Sequence, residues 1–182
     1  MALTSEQVLG WSRVFVLLLG MGWAAWMDHK ERRVSNDHWL VWVKPAIFRW
    51  WLELLARTAD WTVCLTASAV VAYASMSIIG RPTINDLLAG NREDILVSLW
   101  YLISLLGVIL GMIKYSEVDA LELLLGEATG MAALYWTTLS GLIVIFVIDL
   151  GWRLRLIHGG ADAKALMWVA ILVPNWSTMP VV

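Results

Sequence analysis

The chain has 182 residues, of which 60% are hydrophobic and 15% charged, with a net charge of −2. Soluble domains hold about 45–50% apolar and about 25% charged residues, so this composition excludes an ordinary water-soluble domain and points to a protein of the bilayer. The small negative charge offers no field for nucleic acid, and the single cysteine, Cys64, excludes a disulfide framework or a paired-cysteine metal or redox site.

In chain order, the first apolar run is Val8–Met27. Its one charge, Arg13, lies near an end, where a long side chain can reach the interface. Basic residues follow this run and Trp26-Met27-Asp28 is a poor cleavage site, so it reads as a helix and not as a signal peptide. Trp39–Ala56 is mixed: Lys44, Pro45, Arg49 and Glu53 stand among Trp39, Trp42, Trp50 and Trp51. Composition alone favours an interfacial amphipathic helix there. Trp61–Gly80, Ile95–Ile113 and Met131–Ile148 carry no charge and are long enough to cross. Gly107, Gly111, Gly126 and Gly130 include small-xxx-small spacings, which favour helix packing. Ala165–Val182 is uncharged but holds Pro174 and Pro180, so it reads as a last span or a hairpin entering the membrane. The 13 tryptophans agree with a membrane location, where the ring is buried and its N–H stays near water.

Loop charge sets the expected direction. Lys30, Arg32 and Arg33 follow the first run, and Arg153 and Arg155 follow Met131–Ile148. Between Ile113 and Met131, Lys114 is outnumbered by Glu117, Asp119, Glu122 and Glu127. The positive-inside rule puts the first two loops in the cytoplasm and the third outside. An even number of crossings then lies between the two basic loops, so either one of the clean spans is re-entrant or Trp39–Ala56 crosses; the crossing fits both loop assignments and is the expectation, with its charges facing the bundle interior or lying near the ends. The expected fold is an all-α polytopic transmembrane bundle of about six helices with its N-terminus outside. It forms one domain over residues 1–182, multi-pass in the cell membrane.

Two short segments stand out chemically. Asp28-His29-Lys30-Glu31-Arg32-Arg33-Val34-Ser35-Asn36 begins where the first helix meets the cytoplasm. Read alone, it is a solvated cluster that stops the helix. His158-Gly159-Gly160-Ala161-Asp162-Ala163-Lys164 precedes the last apolar segment. Read alone, it is a glycine turn with Asp162 capping the next helix. Taken together, they put two aspartates on one membrane face, each at a helix end. Two carboxylates sharing a site cannot both ionise cheaply. Under that condition one activates water while the other, protonated, polarises a carbonyl.

Asp-x-x-x-Arg-x-Val-x-Asn after a first helix, with Gly-Gly-Ala-Asp-Ala-Lys before a later one, resembles the archaeal preflagellin and prepilin peptidases. These are membrane aspartic proteases of the Gly-x-Gly-Asp class. The resemblance covers the two motif regions and the multi-helix plan, not the middle of the chain. It implies a catalytic dyad of Asp28 and Asp162. Gly159 matches the first glycine of the motif, Ala161 takes the place of the second, and Gly160 stands between them. Lys164, Arg32 and Asn36 have supporting roles, and Ser35 stands where the family often has proline. The aspartates are further apart in sequence than is usual, which implies an extra helix pair between them. The chain ends soon after the second motif, where relatives usually continue with more helices. The paired cysteines that accompany methyltransferase activity in bacterial members are absent.

The resemblance implies pilin- or archaellin-like precursors as partners, cut at the cytoplasmic face to remove a basic leader, with no metal and no organic cofactor. The second reading is a non-catalytic or decayed membrane scaffold or assembly subunit, which the short C-terminus favours. A transporter would want charges inside the clean spans, and they are missing there. Asp149 reads first as an end charge near Arg153 and second as an intramembrane acid with a function; His158 reads first as a loop residue and second as a residue that tunes the site. Nothing gives His29 or His38 metal-ligand geometry with His158.

Overall fold

The computed structural model describes residues 5–79, 82–88, 90–118, 120–125 and 127–174. Its helices are α1 (Ser5–Glu31), α2 (Asn36–Ala56), α3 (Trp61–Ile78), α4 (Ile84–Leu88), α5 (Arg92–Lys114), α6 (Ala120–Leu125), α7 (Gly130–Arg153) and α8 (Gly160–Leu172). Among the described residues there is no strand. The fold is all-α, with six longer helices and two short ones.

Four helices are long and apolar enough to cross a membrane: α1 from Gln7, α3, α5 and α7. They correspond to the first run and the three charge-free runs. Leu18, Leu102, Ile113 and Val147 on these helices are exposed, which suits lipid contact. α2 has 21 residues, about 31 Å at 1.5 Å per residue, but it is not apolar enough to count among the four. α8 has 13 residues, about 20 Å, short of a hydrocarbon core of about 30 Å. Residues 175–182, with Pro180, lie outside the described residues.

The chain divides into two compact units: residues 1–57 with 147–182, and residues 58–146. α7 contributes to both.

In the first unit, α1 and α2 form an antiparallel hairpin. α1 ends at Arg32, whose φ of 53° is in the left-handed region and turns the chain back. Ser35 caps α2, its hydroxyl accepting from the His38 N–H at 3.3 Å. The hairpin is closed by charge. Arg13 is only 1% exposed and pairs with Glu53 Oε2, while Arg57 reaches Glu53 Oε1 at 3.1 Å. Arg49 is also buried and donates to the Ser12 hydroxyl and the Leu9 carbonyl. Arg13 therefore does not snorkel to the interface, because its partner comes from the facing helix. Of the charges expected to turn inward, Arg49 and Glu53 do so; Lys44 is exposed.

α8 packs on this hairpin through tryptophans. Trp168 is buried against Trp39 and Trp42, with ring centroids 5.9 and 6.4 Å away. Pro45 lies inside α2 and cannot donate to the Val41 carbonyl. One residue further on, the Trp42 carbonyl accepts the Trp168 indole N–H at 2.8 Å. Gly20 makes room for the ring: a Cβ there would lie 2.6 Å from Trp168 Cη2.

In the second unit, α3 and α5 run antiparallel. Asp60 caps α3, accepting from the Thr62 N–H at 3.3 Å, and its other oxygen pairs with Lys114 of α5 and accepts from the Tyr115 hydroxyl at 3.2 Å. The Trp100 indole donates to Ser68 Oγ at 2.7 Å. Gly107 and Gly111 pack as expected: a Cβ on either would collide with Leu65 or Tyr135, whereas Gly130 has nothing within 4 Å, and Gly126 lies outside the described residues. Tyr135 of α7 is fully buried and donates to the Val108 carbonyl at 2.7 Å. α4 starts with a reciprocal pair, the Thr83 N–H donating to Asp86 and the Asp86 N–H to the Thr83 hydroxyl. The side-chain hydrogen bond from Thr83, and then the backbone one, hold the Asp86 carboxyl below its ordinary pKa.

Removing one partner of a buried ion pair costs about 3–5 kcal/mol. Glu53→Gln is therefore expected to lose that much stability in denaturant titration of the detergent-solubilised protein. Arg13→Met combined with Glu53→Leu should recover most of it. A single-variant loss below about 1 kcal/mol, typical of exposed pairs, would mean that water reaches the pair. Gly20→Val forces the Trp168 ring to move and is expected to cost about 1–3 kcal/mol by the same measurement.

Candidate active site

Asp28 lies in the last turn of α1 and is exposed. Its backbone carbonyl accepts the Arg32 N–H at 2.8 Å. The segment that follows has clear local duties. Lys30 Nζ lies 5.1 Å from the centroid of Trp26, the exposed Arg32 ends the helix, and Ser35 starts the next one. Asn36 is the first residue of α2, and its side chain lies outside the described residues.

Asp162 is the third residue of α8 and is also exposed. A carboxylate in the first turn is favoured by the N-terminal end of the helix dipole. Gly159 is the N-cap and offers no side-chain hydrogen bond; the Asp162 carboxylate lies close over it. A Cβ at Gly159 would run into Asp162 Oδ2. Gly159 has φ −95° and ψ 121°, a conformation any residue adopts, so a side chain there meets only the exposed Asp162 carboxylate, which would have to turn aside. At Gly160 a Cβ would meet only the Trp152 ring at 3.5 Å, an ordinary contact. Ala161 is half-buried and Lys164 is buried.

Both aspartates lie in the first unit. Among the described residues, no hydrogen bond or ion pair joins them. α1 and α8 meet where Trp168 covers Gly20. Asp28 is eight residues from that contact along α1, about 12 Å, and Asp162 is six residues from it along α8, about 9 Å. Both acids stand clear of the packed aromatic layer, on helix ends that water can reach.

Two buried charged groups lie outside the candidate dyad. One is the Arg13–Glu53–Arg49 cluster, whose only signal was two basic residues and an acid within apolar helices. The other is Asp149, which is 2% exposed and accepts from Arg153 Nε at 2.7 Å. Its proximity to Arg153 follows from the four-residue spacing, but its burial does not. His38 is buried, its Nε2 3.2 Å from the Gly20 carbonyl, while His29 and His158 are exposed. Among the described residues, no group of three or more His, Cys, Asp or Glu side chains converges as a metal site would require.

Comparison of the chain with protein families, with curated proteins and with solved structures found no match.

The two glycines should respond differently to substitution. Gly159→Ala displaces the Asp162 carboxylate and is expected to lower thermal stability by about 1 kcal/mol. Gly160→Ala should stay within about 0.5 kcal/mol of the parent. Equal effects in melting experiments would mean that Asp162 does not rest on Gly159.

Proposed function

We propose that the protein is a membrane aspartic endopeptidase resembling prepilin and preflagellin peptidases, with Asp28 and Asp162 as its acids. The observation that carries this reading is the Gly159–Asp162 contact. The motif glycine stands where any side chain would displace the carboxylate, and that carboxylate is exposed at a helix start. Asp28 supports it from the exposed end of α1 in the same unit.

In this reading one carboxylate takes a proton from water, and the resulting hydroxide attacks the scissile carbonyl. The other, entering protonated, hydrogen-bonds to that carbonyl and gives its proton as the tetrahedral intermediate forms. As the intermediate collapses, the leaving amine collects a proton from the first acid and one hydroxyl proton returns to the second carboxylate, so both acids end as they began. The carboxyl groups supply all the chemistry, and neither metal nor organic cofactor takes part. Gly159, Gly160 and Ala161 keep the approach to Asp162 low. Arg32, Asn36 and Lys164 are supporting residues.

The substrates are pilin- or archaellin-like precursors with a short basic leader ahead of an apolar helix. The protein sits multi-pass in the cell membrane with its N-terminus outside and α2 crossing, so cleavage occurs at the cytoplasmic boundary. A non-catalytic assembly subunit is the second reading. It is favoured by the local structural roles of Arg32, Ser35 and Asp162.

Co-expression with a pilin-like precursor tests the proposal. Asp28→Asn and Asp162→Asn should each reduce cleavage at least about 100-fold, the scale of lost acid–base catalysis. Asp86→Asn, in α4 of the other unit, should leave cleavage unchanged. Cleavage that survives either of the first two changes removes the dyad, and no cleavage by the parent protein leaves the scaffold reading.

A further inference from the structure

Of the three histidines, only His38 is buried, with 6% of its surface exposed. It stands in the first turn of α2. Its Nε2 lies 3.2 Å from the Gly20 carbonyl of α1. The Trp39 ring stands across it with 4.8 Å between centroids, and the Trp42 ring lies 6.2 Å away. Those two tryptophans hold Trp168 of α8, which in turn covers Gly20. One imidazole thus joins α1 to α2 at the place where α8 docks.

The hydrogen bond fixes the tautomer. A carbonyl only accepts, so Nε2 carries the hydrogen and Nδ1 is the basic nitrogen. Among the described residues no hydrogen bond reaches Nδ1. A proton taken up there creates a buried N–H without an acceptor and a buried cation, both of them costly. It also puts positive charge in the first turn of α2, at the positive end of that helix dipole. The surrounding charges compensate little. On α1, Arg13 is seven residues from Gly20 and Asp28 eight. On α8, the buried Lys164 is four residues from Trp168, and the exposed Asp162 is six. On α2 the neighbouring Asp37 is exposed, as are Arg32 and Arg33 in the connection before it. Attraction of the cation to the tryptophan rings offsets part of the cost, but it supplies no acceptor for the new N–H.

We propose that His38 is a pH-sensitive latch: neutral, it holds α1 and α2 together beneath α8, and protonated, it loosens α8 from the hairpin. Once loosened, the ring meets water and titrates at its ordinary value of about 6.5. At pH 5 this shifts the balance towards the loosened form by up to about 30-fold, while most carboxylates, near pH 4, stay ionised. α1 carries Asp28 and α8 carries Asp162, so the latch sets how the helix ends bearing them are placed.

The test uses the full chain in lipid bilayers, with Cys64→Ser and with spin labels on Leu18→Cys of α1 and Leu166→Cys of α8, both exposed positions. Pulsed electron resonance reads the distance between the labels. One narrow distance is expected at pH 7.5, and at pH 5 it should give way to longer distances, reversibly. His38→Gln keeps an N–H for the Gly20 carbonyl but takes up no proton, so it should hold the narrow distance at both pH values. His29→Gln combined with His158→Gln changes two exposed residues and leaves His38 as the only histidine. This double variant should respond as the parent does, and it tests the proposal even if His38→Gln does not fold. A parent distance that stays the same at pH 5 overturns the proposal. So does a change that persists in His38→Gln, or a response that is lost in the double variant.

Discussion

The first unit depends on one constraint: charged groups inside an apolar hairpin must find their partners within it. Arg13 and Glu53 come from facing helices, and neither would be stable against lipid alone. Their pairing fixes the register of α1 against α2. Arg49, one turn before Glu53, is held by Ser12 and the Leu9 carbonyl. The attraction within such a pair repays the cost of removing two ions from water only when geometry is good. Its contribution is therefore better described as specificity than as net stability: other registers would strand a guanidinium against hydrocarbon.

Close approach does the rest. Gly20 lets the Trp168 ring lie on α1, and in the second unit Gly107 and Gly111 let Leu65 and Tyr135 reach the backbone of α5. Between lipid-exposed helices there is little hydrophobic gain from association, so packing and interhelical hydrogen bonds carry more weight. The bonds from Trp100 to Ser68 and from Tyr135 to the Val108 carbonyl are of this kind. Asp60 joins two tasks, capping its own helix and pairing with Lys114.

Much of the architecture was legible in the sequence. An absence of charge over some 18 residues needs no tertiary information to interpret, and α3, α5 and α7 follow those runs closely. α5 extends beyond the uncharged stretch because Asn91 caps it and Glu93 and Asp94 suit a first turn. What was not legible depends on residues distant in the chain. The path of Arg13 is decided by Glu53, and the burial of Asp149 by its surroundings. A helix over Trp39–Ala56 was expected despite Pro45, and α2 is one. α4 and α6 are too short for periodicity to reveal. At the candidate site, the glycine turn before α8 was readable, but the expected cap was not: Gly159 is the N-cap and Asp162 is the third residue of the helix. The contact of α8 on α1 was not, because it depends on a tryptophan meeting a glycine nearly 150 residues away.

The first unit is discontinuous, built from both ends of the chain. This has a consequence for biosynthesis. α2 is interrupted by Pro45, and the Trp42 carbonyl beside the break is bonded by an indole on α8. During translation the hairpin emerges more than a hundred residues before α8, which covers it. Until then the aromatic layer lacks Trp168, and the Trp42 carbonyl lacks the indole that meets it in the finished protein. The nascent hairpin must wait in a setting that tolerates polar backbone, such as the insertion machinery or the headgroup region. α8 thus acts as the closing piece for an element made more than a hundred residues before it.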